Sequence, residues 1–174
     1  MKKNSLIKKA GFLIILCLLT QGCAEIVQNN DEEKISVKGR VVDGPIKESV
    51  CFADLNNNGI KDDNEPVGNS NDKGYYEYDI DESVFNDVDQ LKSICIGGID
   101  TTTNQDLGEL KLTTAIPKTN LDSIIQTTPL TSLLSSAATV QDKKAILKKL
   151  NIQQNESEIL TTDYYEIALS ASEG

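Results

Sequence analysis

The sequence has no histidine and no tryptophan, a single methionine, three phenylalanines and five tyrosines. Without an imidazole there can be no Ser-His-Asp or Cys-His nucleophile, and no histidine-bearing zinc site. Positive charge is scarce as well: 17 Lys and Arg stand against 27 Asp and Glu. A surface of that sign repels nucleic acid and attracts cations, so a nucleic-acid partner is excluded. The four cysteines include no Cys-x-x-Cys pair, which leaves out a thioredoxin-type redox centre. Long apolar runs are missing too. The most apolar stretch, Gly11 to Thr20, carries no charge but is too short for an ordinary spanning helix.

What is present begins with that stretch. Lys2, Lys3, Lys8 and Lys9 precede it as a basic n-region, and the whole of 1–22 reads as a secretion signal. It ends in Leu18-Leu19-Thr20-Gln21-Gly22-Cys23, which resembles a lipobox. There a signal peptidase cuts after a small residue and leaves a lipid-bearing cysteine. Thr20 stands where the family prefers leucine, with Leu19 one place further away. An ordinary cleaved signal or an uncleaved anchor is the alternative. The resemblance implies a membrane tether through lipid on Cys23. Ala24 follows, not aspartate, which fits the outer membrane if the host is Gram-negative. Loss of the signal removes four lysines, leaving 13 bases against 27 acids and a formal charge of −14.

The mature chain, about 150 residues, is long enough for one domain with its own core. Residues 23–34 are polar and acidic and read as a flexible tether. Five strands are expected next, at Ile35–Val42, Glu48–Asp54, Tyr75–Ile80, Gln90–Ile96 and Gly108–Pro117, with turns at Asp43-Gly44-Pro45, Asn71–Gly74 and Gly97-Gly98. After residue 120 the period changes. Thr128 before Pro129 is a helix start with Leu130, Leu133 and Leu134 on one face. A second helix starts at Thr139, with Lys143, Lys144, Lys148 and Lys149 opposite Ile146, Leu147 and Leu150. A third runs from Ser157 to Leu169. The fold class is therefore α+β: an antiparallel β-sandwich over 35–120 with a loop of special composition between strands, then a short helical segment over 121–174. Those leucine faces either pack on the sandwich or belong to a longer protein.

That loop carries the most specific signal. Asp54, Asn56, Asn58, Gly59, Ile60, Asp62 and Glu65 fall at the diagnostic places of an EF-hand loop. Calcium is a hard cation that takes six to eight oxygens. Alternate side chains at 54, 56 and 58 converge as the chain curls, and Gly59 allows the turn. The carbonyl of Ile60 adds a main-chain oxygen, Asp62 ligates directly or through water, and Glu65 closes the shell. A solvated Asx-rich turn is the alternative. Strand-like residues before the loop and Pro66 after it argue against flanking helices. Three acids and two neutral amides suit weak binding, roughly 10⁻⁴ to 10⁻³ M, as in extracellular modules.

The segments Val41–Ile46, Val50–Gly59, Glu65-Pro66 and Asn71–Tyr75 together resemble a module of bacterial surface proteins. They are similar to the calcium-binding B-repeat domains of staphylococcal adhesins and to carboxypeptidase-regulatory-like, prealbumin-like sandwiches. Gly97–Asp100 and Thr128–Leu134 are similar to segments that follow this module in large exported proteins. The resemblance spans roughly residues 36 to 135. It implies a calcium-stiffened stalk, spacer or adhesin part, without catalysis, whose partners would be an extracellular protein or a glycan.

Cys51 and Cys95 remain after the signal and the lipidated cysteine. Each lies in an expected strand, and in an oxidising compartment a disulfide between them is expected, against two buried thiols. Two further functions are open. An acid-pair hydrolase would need paired carboxylates in a pocket. A glycan-binding module would need exposed aromatics, for which the tyrosines are Tyr75, Tyr76, Tyr78, Tyr164 and Tyr165.

Overall fold

The computed structural model describes residues 33–119 and 121–172. The signal 1–22, Cys23 and nearly all of the tether lie outside the described residues. The described residues form one compact unit. No helix among the described residues is long and apolar enough to cross a membrane.

The fold is α+β, with antiparallel sheets and several short helices. Strands β1 (Lys34–Val41), β5 (Tyr75–Asp81) and β10 (Ile125–Thr127) form one sheet in the order β10-β1-β5. A second sheet is ordered β4-β3-β6-β9, from Val67–Asn69, Val50–Asp54, Lys92–Ile96 and Lys111–Ala115. Three two-residue strands, β2 (Ile46–Lys47), β7 (Ile99–Asp100) and β8 (Gln105–Asp106), make a small third sheet.

Alternation explains which face is inside. Along β5, Tyr76, Tyr78 and Ile80 are buried while Glu77 and Asp79 are exposed, the period of two that a half-buried strand requires. From the other large sheet Cys51, Ala53, Cys95 and Leu112 turn toward the same core, joined by Val37, Val41, Phe85, Leu91 and Ile125. Tyr76 ties the two sheets. Its hydroxyl shares hydrogen bonds with Ser93 Oγ at 2.9 Å and Thr127 Oγ1 at 2.8 Å. The ring lies across Gly39, where a Cβ would come 2.1 Å from Tyr76 Cζ, so this position needs glycine.

The helices follow their capping signals. Thr128 caps α2 (Pro129–Ser135) in a reciprocal box with Thr131, and Thr139 caps α3 (Val140–Lys149). Helix α2 packs on β9 through Thr113 N–H donating to Ser132 Oγ at 2.8 Å. Leu134, Leu147 and Ile159 form a second small core between helices.

Several features depart from the sequence reading, beginning with the short strands β2, β4, β7 and β8, which that reading does not include. The expected helix over 157–169 is two, α4 (Glu156–Thr161) and α5 (Tyr164–Ser172), because Thr162 takes extended backbone. A short helix α1 (Glu82–Asp87) follows β5 with no side-chain cap to announce it. Strand β10 pairs with β1 in parallel, Gly39 opposite Ile125, so the sheets are not wholly antiparallel. For the same reason the expected boundary at 120/121 does not separate two bodies. β10 belongs to the first sheet although it lies in the segment read as helical; three residues before a strong helix start give too little pattern to show.

Candidate metal site

Strands β3 and β4 are antiparallel neighbours, with Phe52 opposite Val67. Their connection is the loop 55–66, and Ala53 N–H donates to Pro66 O at 3.0 Å to fasten its two ends. Asp54 closes β3 and Glu65 precedes β4, so the ladder itself brings these carboxylates to the base of the loop. Asp54 is 2% exposed and Glu65 is 5% exposed.

Every carboxylate oxygen of this pair accepts a backbone N–H. Asp54 Oδ1 accepts from Asn58 at 3.1 Å and Oδ2 from Gly59 at 3.0 Å. Glu65 Oε1 accepts from Leu55 at 2.9 Å and Oε2 from Asp62 at 3.0 Å. Further out, Asn56 Oδ1 accepts from Asn58 N–H at 3.0 Å and Asn58 Oδ1 from Ile60 N–H at 2.7 Å. Both amides then donate to Asp62 Oδ2, at 2.7 Å and 2.8 Å. One network thus joins Asp54, Asn56, Asn58, Asp62 and Glu65. The curl is made by two left-handed residues, Asn57 (φ 57°) and Gly59 (φ 72°). Ile60 lies on the rim with its side chain 63% exposed.

Charge compensation is incomplete. No described lysine or arginine forms an ion pair with Asp54, Asp62 or Glu65; the nearest ammonium contact to the loop is Lys111 Nζ on the carbonyl of Gly59, at 2.5 Å. Buried carboxylates are normally paired, hydrogen-bonded or bound to metal. Each oxygen here has one donor and keeps a further lone pair. A donor set made only of oxygens, anionic and buried, fits a hard divalent cation such as calcium better than a softer one. Among the described residues no group of three His, Cys, Asp or Glu side chains is already gathered as a metal cage. The two asparagines turn their Nδ2 groups toward Asp62, so a cation at the centre requires both amides to rotate.

Cys51 and Cys95 face each other directly across β3 and β6 and are joined by a disulfide. Of the five tyrosines, Tyr76 and Tyr78 are core residues whose rings stack at 5.9 Å. Tyr75 and Tyr165 flank the guanidinium of Arg40, at 4.9 Å and 5.3 Å. Tyr164 is 41% exposed and, with Tyr165, lines a small apolar groove beside Pro129 and Ile159. A concavity of about 650 Å³ beside α3 is lined by Lys143, Lys144, Lys148 and a single carboxylate, Glu156, which Lys143 binds at 2.6 Å. It offers no acid pair.

Sequence reasoning missed two polar sites. Arg40 is buried on the outer face of β1, held by Asp163, just before α5, and by Glu166 of α5. Asp100 accepts from Thr102 N–H at 2.7 Å and from Thr103 Oγ1 at 2.7 Å. That hydroxyl, more than the backbone donors, draws its carboxyl below the usual range against the opposing effect of burial. The run of three threonines after Asp100 was the available signal for the second; the first had none. The chain matches no family model, no curated protein and no solved structure.

Proposed function

We propose that this protein is a non-catalytic module of the bacterial cell envelope, held to a membrane by lipid on Cys23 and stiffened by calcium in the loop Asp54–Glu65. It would act as a surface spacer or adhesin-like element built on a β-sandwich. The observation that carries this reading is the burial of Asp54 and Glu65 at the base of the loop, with no ion pair to either among the described residues. Asp54, Asn56, Asn58, Asp62, Glu65 and the carbonyl of Ile60 would hold the ion, which supplies positive charge where the fold has concentrated acids. Exclusion of a soft or redox metal follows from the oxygen-only donor set.

The lipid-anchored surface reading rests on the signal and the lipobox-like run ending at Cys23. A calcium-loaded loop would fix the connection between β3 and β4 and so the direction in which the module points. The hydrolase reading lacks paired acids in the concavity beside α3, and the glycan-binding reading has only the Tyr164–Tyr165 groove, since Tyr75, Tyr76 and Tyr78 are taken up by packing.

The test is a calcium titration of the full chain followed by melting temperature. At about ten times the dissociation constant, binding adds about 1.4 kcal/mol and raises the melting temperature by about 3–5 °C. Magnesium, which demands tight octahedral geometry, should do much less. Glu65→Gln should flatten the response. Ile60→Ala, which keeps the backbone carbonyl, should retain it. A wild type that melts at one temperature with and without calcium overturns the site. Metabolic labelling with a fatty acid, lost in Cys23→Ser, tests the anchor.

A further inference from the structure

Asn58-Gly59 is the one Asn-Gly pair in the chain. The groups around it are those that an amide cyclisation needs. Gly59 N–H points at Asp54 Oδ2, 3.0 Å away. Asn58 Oδ1 accepts Ile60 N–H at 2.7 Å, so a donor already sits where negative charge develops if the side-chain carbonyl is attacked. Asn58 is exposed, and around Gly59 the only atom within 4 Å of a hypothetical Cβ is the flexible Lys111 Nζ, at 3.8 Å, which leaves room for water.

We propose that the loop deamidates itself at Asn58, with Asp54 as the proton acceptor. The Gly59 nitrogen bonds to Asn58 Cγ as its proton moves along the existing hydrogen bond to Asp54 Oδ2. The Cγ–Nδ2 bond then breaks, and the nitrogen leaves as ammonia after taking a proton from solvent. Asp54 returns its own proton to water. The product is a five-membered succinimide of Asn58 and Gly59. A water molecule opens it at either carbonyl, giving aspartate or isoaspartate at position 58. The net change is gain of water and loss of ammonia, with no oxidant or metal required.

Glycine matters at the second position because it carries no side chain to block the approach of its nitrogen. The loop holds this glycine at positive φ, so it cannot readily be exchanged. Conversion adds a carboxylate to a proposed ligand set that has three, Asp54, Asp62 and Glu65. Resting on the calcium reading, the aspartate form would bind the ion more tightly, while the isoaspartate form, with a methylene added to the backbone, would lose it. The loop would thus be completed or retired by age, not by an enzyme.

Peptide mapping by mass spectrometry, with an isoaspartate-specific assay, follows position 58 in the full chain kept in metal-free buffer. The native protein should convert about tenfold faster than the same chain unfolded in urea at the same pH, a modest fraction of what a positioned proton acceptor usually supplies. It should also convert faster than at Asn69, Asn71 or Asn151. Asp54→Asn should bring the native rate down toward the unfolded one. A native rate equal to or below the unfolded rate overturns the proposal without relying on any variant. Equal rates in native wild type and a still folded Asp54→Asn overturn the role of Asp54. Calcium titration of Asn58→Asp reads the metal site alone, so failure of either reading is seen separately.

Discussion

Arg40 Nη1 donates to Asp163 Oδ2 at 2.5 Å, and through this contact the last described helix is pinned to the first strand. Burial alone would lower the pKa of the guanidinium, but Asp163 and Glu166 outweigh it and hold it above its ordinary value. The side chain is 1% exposed, sandwiched by Tyr75 and Tyr165, and its Nε donates to Lys73 O at 2.9 Å. Helix α5 buries no residue of its own, so this polar clasp is its main attachment.

Arg40→Met should therefore free α5 while leaving the sheets formed. Amide exchange over 164–172 should rise sharply and limited proteolysis should move there. The stability loss should be about 2 kcal/mol, less than for a wholly buried pair because both acids retain water. Unchanged exchange in that segment would refute the clasp.

The Cys51–Cys95 bond spans 44 residues of sequence. Its removal in Cys51→Ala/Cys95→Ala should destabilise the fold by about 4 kcal/mol in the chain-entropy model. Urea denaturation of the two forms measures this, and non-reducing mass spectrometry reports the bond itself. Loss of less than about 1 kcal/mol would show that the unfolded chain is not restrained by it.

Alkaline pH should act through the core tyrosines. Burial pushes Tyr76 up to about 12 despite its bonds to Ser93 and Thr127, and burial also raises Tyr78, well above the ordinary value. A raised folded pKa means stability is fully present below about pH 10, where unfolded tyrosine titrates, and is lost as pH climbs toward the folded values. Unfolding and tyrosinate absorbance should thus appear together in that window. Tyr76→Phe should weaken the pH dependence yet cost about 1–3 kcal/mol at neutral pH, since Ser93 and Thr127 lose their shared partner.

Asp100 works in the opposite direction. Its lowered pKa contributes stability that is present above the unfolded carboxylate value and disappears as pH falls through the folded one. Thr103→Val removes the largest cause and should move Asp100 back toward the ordinary range. The acid-unfolding midpoint should then rise to higher pH; NMR titration of the Asp100 carboxyl checks the cause.

Much of the architecture was legible because local chemistry and tertiary role agreed. The alternation in Tyr75–Ile80 and the hydroxyl caps Thr128 and Thr139 appear where their patterns place them. The loop residues are also gathered into one network, though their converging order hides that the amides of Asn56 and Asn58 turn toward Asp62. Illegible features depend on partners far away in sequence. Arg40 reads as an ordinary solvent-facing strand residue until α5 covers it, and Ile125–Thr127 gains strand geometry only from β1. The break at Thr162 sits inside an apolar period that continues across it.

Strand β10 has a consequence for how such a chain comes together. β1 lies at the start of the described residues, yet the neighbour that seals one of its sides, opposite Gly39, arrives only at Ile125. Until then that side is an open row of hydrogen-bonding groups, ready to take up any passing strand. A chain made from its amino end therefore emerges with its first strand half-finished, and must be kept from its neighbours until the late segment has followed.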